Sequence, residues 1–326
     1  MSGRRVLMTG GSGFIGTNYI DELSRIPGVH ITNIDRVPPK KTSHNHYWTE
    51  GDILNLPLLL EIAQAIQPSE IIHLAARTDM KGTTVDDYAV NSVGTRNVIE
   101  AVRAAPSVER VIFTSTQYVV GPGPLPRHER DYRPHTVYGQ SKVVAEEIVR
   151  ESALQCCWTI VRPTNVWGSW HPRYPEEFWR LLKNGRYVHP GSEPVIRSYG
   201  YIGTVIAQIE AILASPMEKV NAKTFYVGDP SLRLLDWVNA FSMELTARTV
   251  RVVPRWVVRT LALLGDFAKA CGVDSPIFTS RYRSMTEDYD TPMEPTFDVL
   301  GKPSISLDEG VKETVKWLRE QDEFWR

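Results

Sequence analysis

The sequence has few cysteines. Among 326 residues there are three, Cys156, Cys157 and Cys271, and an odd number without paired spacing argues against a disulfide framework. No group of Cys and His residues has the spacing of a zinc site, so we expect no metal centre. Cys156 and Cys157 lead into an apolar, strand-like segment, which favours a packing role for both side chains.

The sequence also has little net charge and no long uninterrupted apolar run. The net charge is −1 at pH 7, which gives no indication of a nucleic-acid partner. The first residues lead directly into a strand pattern, so we expect no secretory signal segment. The apolar residues 256–273 are interrupted by Arg259, Asp266 and Lys269, which makes a membrane span unexpected. We expect a core helix here, with a position on a membrane surface as the alternative, in a soluble, cytoplasmic protein.

What the sequence does contain is a regular alternation of short apolar strands with amphipathic helices. This alternation predicts an α/β fold of the Rossmann type, a doubly wound parallel sheet with helices on both faces. After about Trp167 the sequence becomes more aromatic and basic, which indicates a smaller, mostly helical unit. We therefore expect a Rossmann-type domain over residues 1–167, to which residues 198–228 return, and a substrate-binding domain over residues 168–326. The predicted sheet strands are RRVLMTG, HITNID, EIIHLAA, RVIFTST, CWTIVRPTNV and AKTFYVGD.

A glycine-rich turn follows the first predicted strand. In VLMTGGSGFIG, glycines 10, 13 and 16 permit a tight turn, close approach to a pyrophosphate and close helix–strand packing. The N-terminus of the following helix supplies free N–H groups for phosphate. Asp35 ends the second strand, where a carboxylate binds ribose hydroxyls and repels a 2′-phosphate. We therefore predict that the first domain binds NAD, while the adjacent Arg36 leaves NADP as an alternative.

Tyr138 and Lys142 lie four residues apart at the start of a predicted helix. Side chains at this spacing share one helix face, so a phenol and an ammonium are expected near each other. A neighbouring ammonium favours the phenolate and shifts the tyrosine pKa toward working pH. Such a tyrosine can accept a proton from an alcohol and return it. The spacing alone also fits an ordinary surface helix, so other parts of the sequence have to decide.

The order of several short motifs resembles that of the extended short-chain dehydrogenase/reductases, and specifically the NAD-dependent nucleotide-sugar epimerase/dehydratase group. The resemblance covers most of the chain and is strongest between Arg5 and Gly168. Each motif is common when taken alone, whereas their order and spacing together are specific. The motifs are TGGSGFIG, EGDILN, HLAA, NSVGT, FTST, YGQSK and RPTNVWG.

This resemblance implies catalytic roles for four residues. Tyr138 resembles the acid/base of the family, and Lys142 resembles the residue that lowers its pKa and holds the nicotinamide ribose. Thr116 falls at the Ser/Thr position that hydrogen-bonds the reacting oxygen, and the neighbouring Ser115 is the weaker candidate. A hydroxyl at this position suits the chemistry, because it stabilises an alkoxide or carbonyl oxygen as charge develops.

The resemblance also implies a set of residues that bind the cofactor. Asp52 and Ile53 resemble the pair that frames the adenine, and Ala75 and Ala76 resemble residues of the cofactor channel. Asn91 resembles a structural asparagine inside a helix, with an ordinary solvated side chain as the alternative. The full expected set is Gly10, Gly13, Phe14, Ile15, Gly16, Asp35, Arg36, Asp52, Ile53, Leu74, Ala75, Ala76, Asn91, Tyr138, Lys142 and Pro163.

On the substrate side the resemblance is partial. Asn165 falls where family members hold the substrate diphosphate, and Arg197 resembles an arginine that contacts the nucleotide end. The family's next residue, an aspartate, is replaced here by Ser198, so a surface ion pair is the alternative role for Arg197. Arginine suits a diphosphate because its planar fork binds two oxygens. The expected substrate-binding residues are Thr78, Thr116, Asn165 and Arg197, with Arg281 and Arg283 as weaker candidates and His171 as a packing residue.

The residues after Thr116 indicate which reaction to expect. Family 4,6-dehydratases have an acidic residue there, whereas Gln117 and Tyr118 cannot act as a carboxylate acid or base. Members that epimerise at C3 and C5 have a Cys near this point, and this chain has none there. We therefore predict hydride transfer alone, by a C4 epimerase or a keto-sugar reductase or dehydrogenase acting on a nucleoside-diphosphate sugar. We do not expect a 4,6-dehydratase.

Two alternative functions remain open at this point. The segments VVPRWVVRTLALLGDFAKACGV and FDVLGKPSISLDEGVKETVKWL also resemble steroid-dehydrogenase-like members of the superfamily, whose substrate is an apolar alcohol. A non-enzymatic dinucleotide sensor on the same fold is the other alternative, although such sensors typically lack the Tyr–Lys pair. The resemblance further implies a homodimer formed through helices over residues 83–102 and 138–149.

Overall fold

The computed structural model describes residues 3–272 and 277–321, so the outer ends of the expected domains, residues 1–2 and 322–326, lie outside the described residues. The strands are β1 (Arg5–Thr9), β2 (His30–Asp35), β3 (Trp48–Glu50), β4 (Glu70–His73), β5 (Arg110–Thr114), β6 (Cys157–Pro163), β7 (Asn165–Trp167), β8 (Val188–Pro190), β9 (Ile196–Arg197), β10 (Tyr199–Tyr201), β11 (Lys223–Val227), β12 (Leu232–Arg233) and β13 (Arg251–Val253). The helices are α1 (Phe14–Leu23), α2 (Leu56–Ile66), α3 (Ala89–Ala104), α4 (Val137–Glu151), α5 (Arg180–Lys183), α6 (Ile202–Ala214), α7 (Met217–Val220), α8 (Leu234–Thr246), α9 (Arg255–Ala270), α10 (Thr279–Thr286), α11 (Glu294–Leu300) and α12 (Leu307–Arg319).

Seven strands form one parallel sheet in the order β11-β6-β5-β4-β1-β2-β3. Thr9 is the register partner of Ile34 on one side and of His73 on the other, so the carboxyl ends of β1, β2 and β4 meet at one edge. The strand order reverses between β1 and β4, and doubly wound sheets bind ligands in the crevice at this switch point. The Rossmann-type fold predicted from the sequence is confirmed.

Capping residues in the sequence determine where two helices near the site, α2 and α4, begin. The Asn55 side chain caps α2, and Pro57 lies in the first turn, where its missing N–H costs no hydrogen bond. The Thr136 hydroxyl caps α4 by accepting a hydrogen bond from Gly139 N at 3.0 Å. Because of this cap, α4 begins one residue before Tyr138 and places that side chain in its first turn.

Three clusters of buried apolar side chains hold the fold together. Two lie on opposite faces of the sheet and consist mainly of Val, Ile and Leu. The third lies in the C-terminal lobe, which we define as residues 168–197, 229–293 and 302–321, and it is rich in aromatic rings such as Trp179, Trp237 and Phe241. α11 falls within the expected substrate-binding range but contacts β11 and α6 of the Rossmann-type unit. The division into two domains stays a prediction.

Two local features differ from the sequence expectations. β3 was not predicted, since three residues are too few to show a strand period. The helix expected from residue 83 is divided into a 3₁₀ turn over Val85–Tyr88, which a capping box of Thr84 and Asp87 begins, and α3.

The expectation that residues 256–273 form a core helix is wrong. These residues form α9, with the C-terminal end of the range outside the described residues, and α9 leaves Trp256 and Phe267 70% and 71% exposed. Within residues 3–272 and 277–321, no helix combines the length and the apolar character that a bilayer span needs.

Candidate active site

The turn between β1 and α1 lies against the end of β4. Gly10 has φ +78°, and a Cβ at this position would lie 2.5 Å from Ala75 N. A Cβ on Gly16 would lie 2.4 Å from Gly11 Cα, so the first turn of α1 packs directly on the loop. α1 begins at Gly13 without a side-chain cap, which suits its first N–H groups to an anionic ligand. The turn therefore has the glycine geometry that a pyrophosphate requires.

Asp35 lies beside this turn, at the carboxyl end of β2. Its carboxylate accepts hydrogen bonds from Ser12 N at 3.1 Å and Val37 N at 3.2 Å. Burial raises the pKa of Asp35, and the backbone N–H donors partly offset that rise. Arg36 is exposed and forms an ion pair with Asp52 at 3.5 Å. The Asp35 carboxylate thus lies next to the glycine turn, while the Arg36 guanidinium is turned away from it, toward Asp52.

The end of β4 is fixed by a buried histidine. His73 Nδ1 lies 2.7 Å from Thr9 Oγ1, and Nε2 lies 3.2 Å from Thr95 Oγ1. Burial lowers the pKa of His73 to about 3, so the ring is neutral and suited to these two hydroxyl partners. Leu74, Ala75 and Ala76 follow directly and are partly exposed at the switch-point crevice.

Other expected cofactor residues lie farther from the crevice surface. Ile53 is buried against Gly94, and its carbonyl accepts a hydrogen bond from Asn97 Nδ2 at 2.9 Å. Pro163 is the buried last residue of β6. Phe14 and Ile15 begin α1 and are half-buried. Their contact with a cofactor stays a prediction.

Asn91 is buried inside α3, so a solvated side chain is excluded. Its Oδ1 accepts a hydrogen bond from Arg77 N at 2.8 Å, and its Nδ2 donates to Arg77 O at 3.1 Å and to Ser141 Oγ at 2.9 Å. Asn91 therefore connects the segment after β4 to α4. This arrangement gives it a positioning role and agrees with the structural asparagine that the resemblance implies.

Tyr138 and Lys142 lie on one face of α4 and are both buried. Thr116 lies just beyond β5, beside the Tyr138 phenol, and its hydroxyl accepts a hydrogen bond from Tyr118 N at 3.3 Å. Burial raises the pKa of Tyr138, and the neighbouring Thr116 hydroxyl acts to lower it. Burial lowers the pKa of Lys142 to about 8, while the charge of Glu146 acts to raise it. The structure thus brings together three of the four expected catalytic residues, which we call the Tyr–Lys–Thr group.

Ser115 is the fourth expected residue, and it points elsewhere. Its hydroxyl donates to Glu146 Oε1 at 2.6 Å inside the protein. Consecutive residues in extended backbone face opposite sides, so only one of Ser115 and Thr116 can face Tyr138. Thr116 has that position.

Glu146 is a buried carboxylate one helical turn after Lys142. It accepts hydrogen bonds from Arg162 Nε at 2.8 Å and Nη2 at 2.7 Å, and from the Tyr132 hydroxyl at 2.9 Å. The Arg162 guanidinium is also fully buried. A bidentate pair of this kind keeps a negative charge fixed below Lys142. Sequence reasoning did not single out Glu146, although its i+4 spacing from Lys142 is visible in the sequence.

The expected substrate-binding residues Asn165 and Arg197 lie among tyrosines. Asn165 Nδ2 donates to the Tyr174 hydroxyl at 2.8 Å. Arg197 Nη1 donates to Glu287 O at 3.2 Å, and its guanidinium lies 5.5 Å from the centre of the Tyr289 ring. Arg197 thus contacts a backbone carbonyl and an aromatic ring on the segment 287–289, and its contact with a substrate stays a prediction.

Tyrosine rings connect this region to the Tyr–Lys–Thr group. The Tyr289 and Tyr118 ring centres lie 6.0 Å apart, and those of Tyr118 and Tyr138 lie 6.1 Å apart. The Tyr289 hydroxyl, from the C-terminal lobe, lies 2.6 Å from Val120 O and 3.1 Å from Gln117 O. Tyr289 therefore holds the segment that follows Thr116. The sequence reasoning missed this tyrosine, because no motif connects positions so far apart.

The remaining candidates lie outside this arrangement. Thr78 is exposed on the segment after β4. His171 Nδ1 accepts hydrogen bonds from Tyr174 N at 2.9 Å and Arg173 N at 3.2 Å, and burial lowers its pKa to about 3. These contacts fit the packing role expected for His171. Arg281 contacts Glu177 at 3.5 Å in the C-terminal lobe.

Comparison with protein families gives a match over residues 6–228 to the model described as the NAD dependent epimerase/dehydratase family. This match covers more than half of the chain and includes every element of the main sheet.

Several characterised proteins are similar in sequence. The N-acetyl-alpha-D-glucosaminyl-diphospho-ditrans,octacis-undecaprenol 4-epimerase of Escherichia coli O157:H7 is 28% identical over 258 residues, which cover 74% of this chain and 73% of that protein. The 3-beta-hydroxysteroid dehydrogenase of Mycolicibacterium neoaurum is 33% identical over 222 residues, covering 62% and 58%. The dTDP-D-glucose 4,6-dehydratase of Mus musculus is 26% identical over 353 residues, covering 99% and 91%. Because a dehydratase is among these relatives, our expectation against that reaction is not confirmed.

Solved structures share the fold. The UDP-glucose 4-epimerase of Thermotoga maritima has a TM-score of 0.73 at 20% identity, with 97% of this chain and 99% of that chain covered. The dTDP-glucose 4,6-dehydratase of Bacillus anthracis, solved in complex with NAD, has a TM-score of 0.73 at 20% identity, with 99% and 98% covered.

Proposed function

The chain belongs to the NAD dependent epimerase/dehydratase family, and we propose that it catalyses hydride transfer at a hydroxyl or carbonyl carbon of a nucleoside-diphosphate sugar. Membership in this family confirms the resemblance seen in the sequence and the expected cofactor, NAD. The observation that carries the proposal is the Tyr–Lys–Thr group, which lies buried beyond the end of β5, at the same carboxyl edge of the sheet as the glycine turn and Asp35. We favour a C4 epimerase or a keto-sugar reductase or dehydrogenase.

The residues around the switch point fit NAD. The turn at Gly10 and the uncapped start of α1 suit a diphosphate, because the tight turn against Ala75 leaves the first N–H groups of α1 at the switch point without a side-chain cap. Asp35 suits a ribose with free hydroxyls and disfavours a 2′-phosphate. When bound, NAD supplies the hydride acceptor and donor.

Protein side chains carry out the proton transfer that accompanies the hydride transfer. Tyr138 accepts the proton of a substrate hydroxyl during oxidation and returns it during reduction. We assign to Thr116, which lies beside the Tyr138 phenol, the stabilisation of the negative charge that develops on the same oxygen. We assign to the Lys142 ammonium, one helical turn after Tyr138, the role of favouring the phenolate, and the charge of Glu146 helps to keep that ammonium protonated.

Gln117 and Tyr118 support hydride transfer without elimination of water. The dehydratases that the chain resembles use an acidic residue at this point for elimination, and neither Gln117 nor Tyr118 has a carboxylate. Tyr118 has its ring stacked on His135 at 5.3 Å, which holds it as part of the cleft wall.

Arg197 and Asn165 support a diphosphate-linked substrate. A guanidinium and an amide donor are the groups that bind phosphate oxygens, and both lie in the cleft that contains Tyr118. The relative from Escherichia coli O157:H7 is named for a diphosphate-linked sugar, which agrees with this chemistry. The expected homodimer through α3 and α4 and the cytoplasmic location stay predictions.

The test is to denature the purified protein, identify any nucleotide that it releases, and follow UDP-glucose and dTDP-glucose by proton NMR. An epimerase returns its hydride, so near-stoichiometric NAD and a product inverted at C4 are expected. An empty protein that binds NADH reversibly would indicate a net reductase. A 4-keto-6-deoxy product would contradict the proposal and show a dehydratase, and bound NAD without turnover would favour a sensor.

A steroid-type alcohol is a second candidate substrate. The tyrosine-lined cleft favours it, because aromatic walls bind apolar rings well. Competition separates the two candidates: UDP should displace a nucleotide-sugar substrate from the cleft and should have no effect on a sterol.

A further inference from the structure

α9 exposes an unusual amount of apolar surface. The four most exposed large apolar side chains among the described residues all lie on this one helix: Phe267 at 71%, Trp256 at 70%, Leu264 at 60% and Leu263 at 58%. Val252, just before the helix, and Leu261 are also exposed. Isolated exposed apolar residues are normal, whereas a contiguous group marks an interaction site.

These side chains lie on one face of α9. Trp256, Leu263, Leu264 and Phe267 follow the i, i+7, i+8, i+11 spacing of a single helical stripe. The opposite face packs on the lobe through Val258, Ala262 and Gly265, which are buried. We call the exposed stripe the α9 apolar face. From Trp256 to Phe267 it is about 17 Å long, at about 1.5 Å per residue.

The surroundings of the α9 apolar face are strongly cationic. Residues 248–283 include seven Lys or Arg and two Asp, in a chain whose net charge is −1. Arg248, Arg251 and Arg259 are exposed beside the stripe. Arg255 is paired with Glu193 at 3.1 Å, and Asp266 accepts a hydrogen bond from Thr279 N at 3.1 Å.

We propose that the α9 apolar face docks on the surface of an anionic phospholipid bilayer. A helix with Trp, Leu and Phe on one side and arginines along its edge lies in the plane of a membrane interface, with its rings among the acyl chains and its cations at the headgroups. A bilayer accommodates a convex helix, whereas a protein partner must supply a matching groove. Arg255, Arg281 and Arg283 are paired with carboxylates outside this range, and the exposed Arg248, Arg251 and Arg259 beside the stripe are the cations that select anionic lipid.

Docking of α9 would also fix the orientation of the active-site cleft relative to the membrane. α9 packs against α10, and α10 leads to Glu287 and Tyr289, which contact Arg197 in the cleft. The lobe that faces the membrane is therefore the lobe that forms the substrate side of the site. The inference holds whichever alcohol the enzyme oxidises, since it uses no residue of the Tyr–Lys–Thr group.

The experiment is flotation of the full-length protein with vesicles of phosphatidylcholine alone or of equal parts phosphatidylcholine and phosphatidylglycerol. We expect flotation with the anionic vesicles and little with the neutral ones. The double variant Trp256→Gln/Phe267→Gln should lose binding by more than about tenfold. Arg251→Gln and Arg259→Gln should each weaken binding about fivefold, and added salt should do the same.

The matched control is Ile26→Gln/Met217→Gln, which removes two exposed apolar side chains far from α9 and should float like the wild type. NAD binding and circular dichroism of every variant show that the fold is intact. Equal flotation of the wild type and the Trp256/Phe267 variant would overturn the proposal. So would a wild-type dimer in gel filtration that this variant converts to a monomer, because a second copy would then cover the face.

Discussion

The two sides of the cleft are built in different ways. On the Rossmann-type side, each functional group follows a strand end and is fixed by bonds to neighbouring backbone or hydroxyls, as Asp35 and His73 are. On the other side, Asn165, at the edge of the lobe, donates to Tyr174, which packs on Trp237, and Arg197 lies over the ring of Tyr289. The first side depends on strand register, and the second depends on the packing of aromatic rings. Four substitutions test how far this contrast extends, beginning with the largest effect on activity.

Tyr138→Phe should lower turnover by about a thousandfold, because it removes the acid/base. NAD affinity should change little, since the glycine turn and Asp35 are untouched. The measurements are steady-state kinetics and NAD titration. Tyr187→Phe, at a half-buried tyrosine of the C-terminal lobe, is the control. Turnover close to wild type would eliminate Tyr138 as the proton-transfer group.

Gly10→Ala should weaken NAD binding by more than about tenfold, because the new Cβ would meet Ala75 N at 2.5 Å. Gly28→Ala is a matched control, since Gly28 has φ +79° and a Cβ there would have no neighbour within 4 Å. Both substitutions should cost about 1 kcal/mol of stability or more from the left-handed backbone. NAD titration and thermal melting separate the two effects. Equal NAD affinities in the two variants would show that the turn does not form the diphosphate site.

Glu146→Gln should move the alkaline limb of the pH–activity profile to lower pH. The Glu146 charge raises the pKa of Lys142, so its removal lets the ammonium lose its proton at a lower pH. The uncompensated Arg162 should also reduce stability by about 3–5 kcal/mol.

Two variants control for that loss of stability. Glu146→Asp keeps the charge, and Ser115→Ala keeps Glu146 itself, so both should leave the limb near its wild-type position. If the alkaline limb of the pH–activity profile lies at the same pH in Glu146→Gln as in the wild type, Glu146 has only a structural role.

Tyr289→Phe should have the smallest effect. It removes the hydroxyl that lies 2.6 Å from Val120 O, which should lower the free energy of unfolding by about 1 kcal/mol and kcat about fivefold. NAD affinity should stay the same, because the contact is on the lobe side. Tyr282→Phe is the control, and kinetics with denaturant melts are the measurements. An unchanged kcat would show that the lobe does not position Thr116.

Local features of the site could be read from the sequence. The strand–turn–helix around Gly10 and the i, i+4 pair on α4 depend on neighbouring residues, so the spacing predicted where they lie, and the surrounding motifs indicated their chemistry. The choice between Ser115 and Thr116 depends on which face of the extended backbone each one takes, which a one-residue shift reverses. Tyr289 and Gln117 are 172 residues apart in sequence, and no local pattern predicts their contact.

For α9, by contrast, the sequence did not predict which face of the helix is buried. Its apolar period was visible, and a core position was the natural interpretation. Periodicity tells which side chains share a face, but the small residues Val258, Ala262 and Gly265 turned out to be the buried face. The larger residues were left outside, which only the packing of the lobe could reveal.

The contact of Tyr289 with Gln117 and Val120 couples ligand binding on one side of the cleft to ligand binding on the other. Under the proposed function NAD binds to one side and the substrate to the other, and this contact joins them next to Thr116. If the substrate strengthens NAD binding through this contact, NAD strengthens substrate binding by the same factor, because linkage is reciprocal. The difference in NAD affinity with and without substrate therefore measures how strongly the lobe is coupled to the sheet.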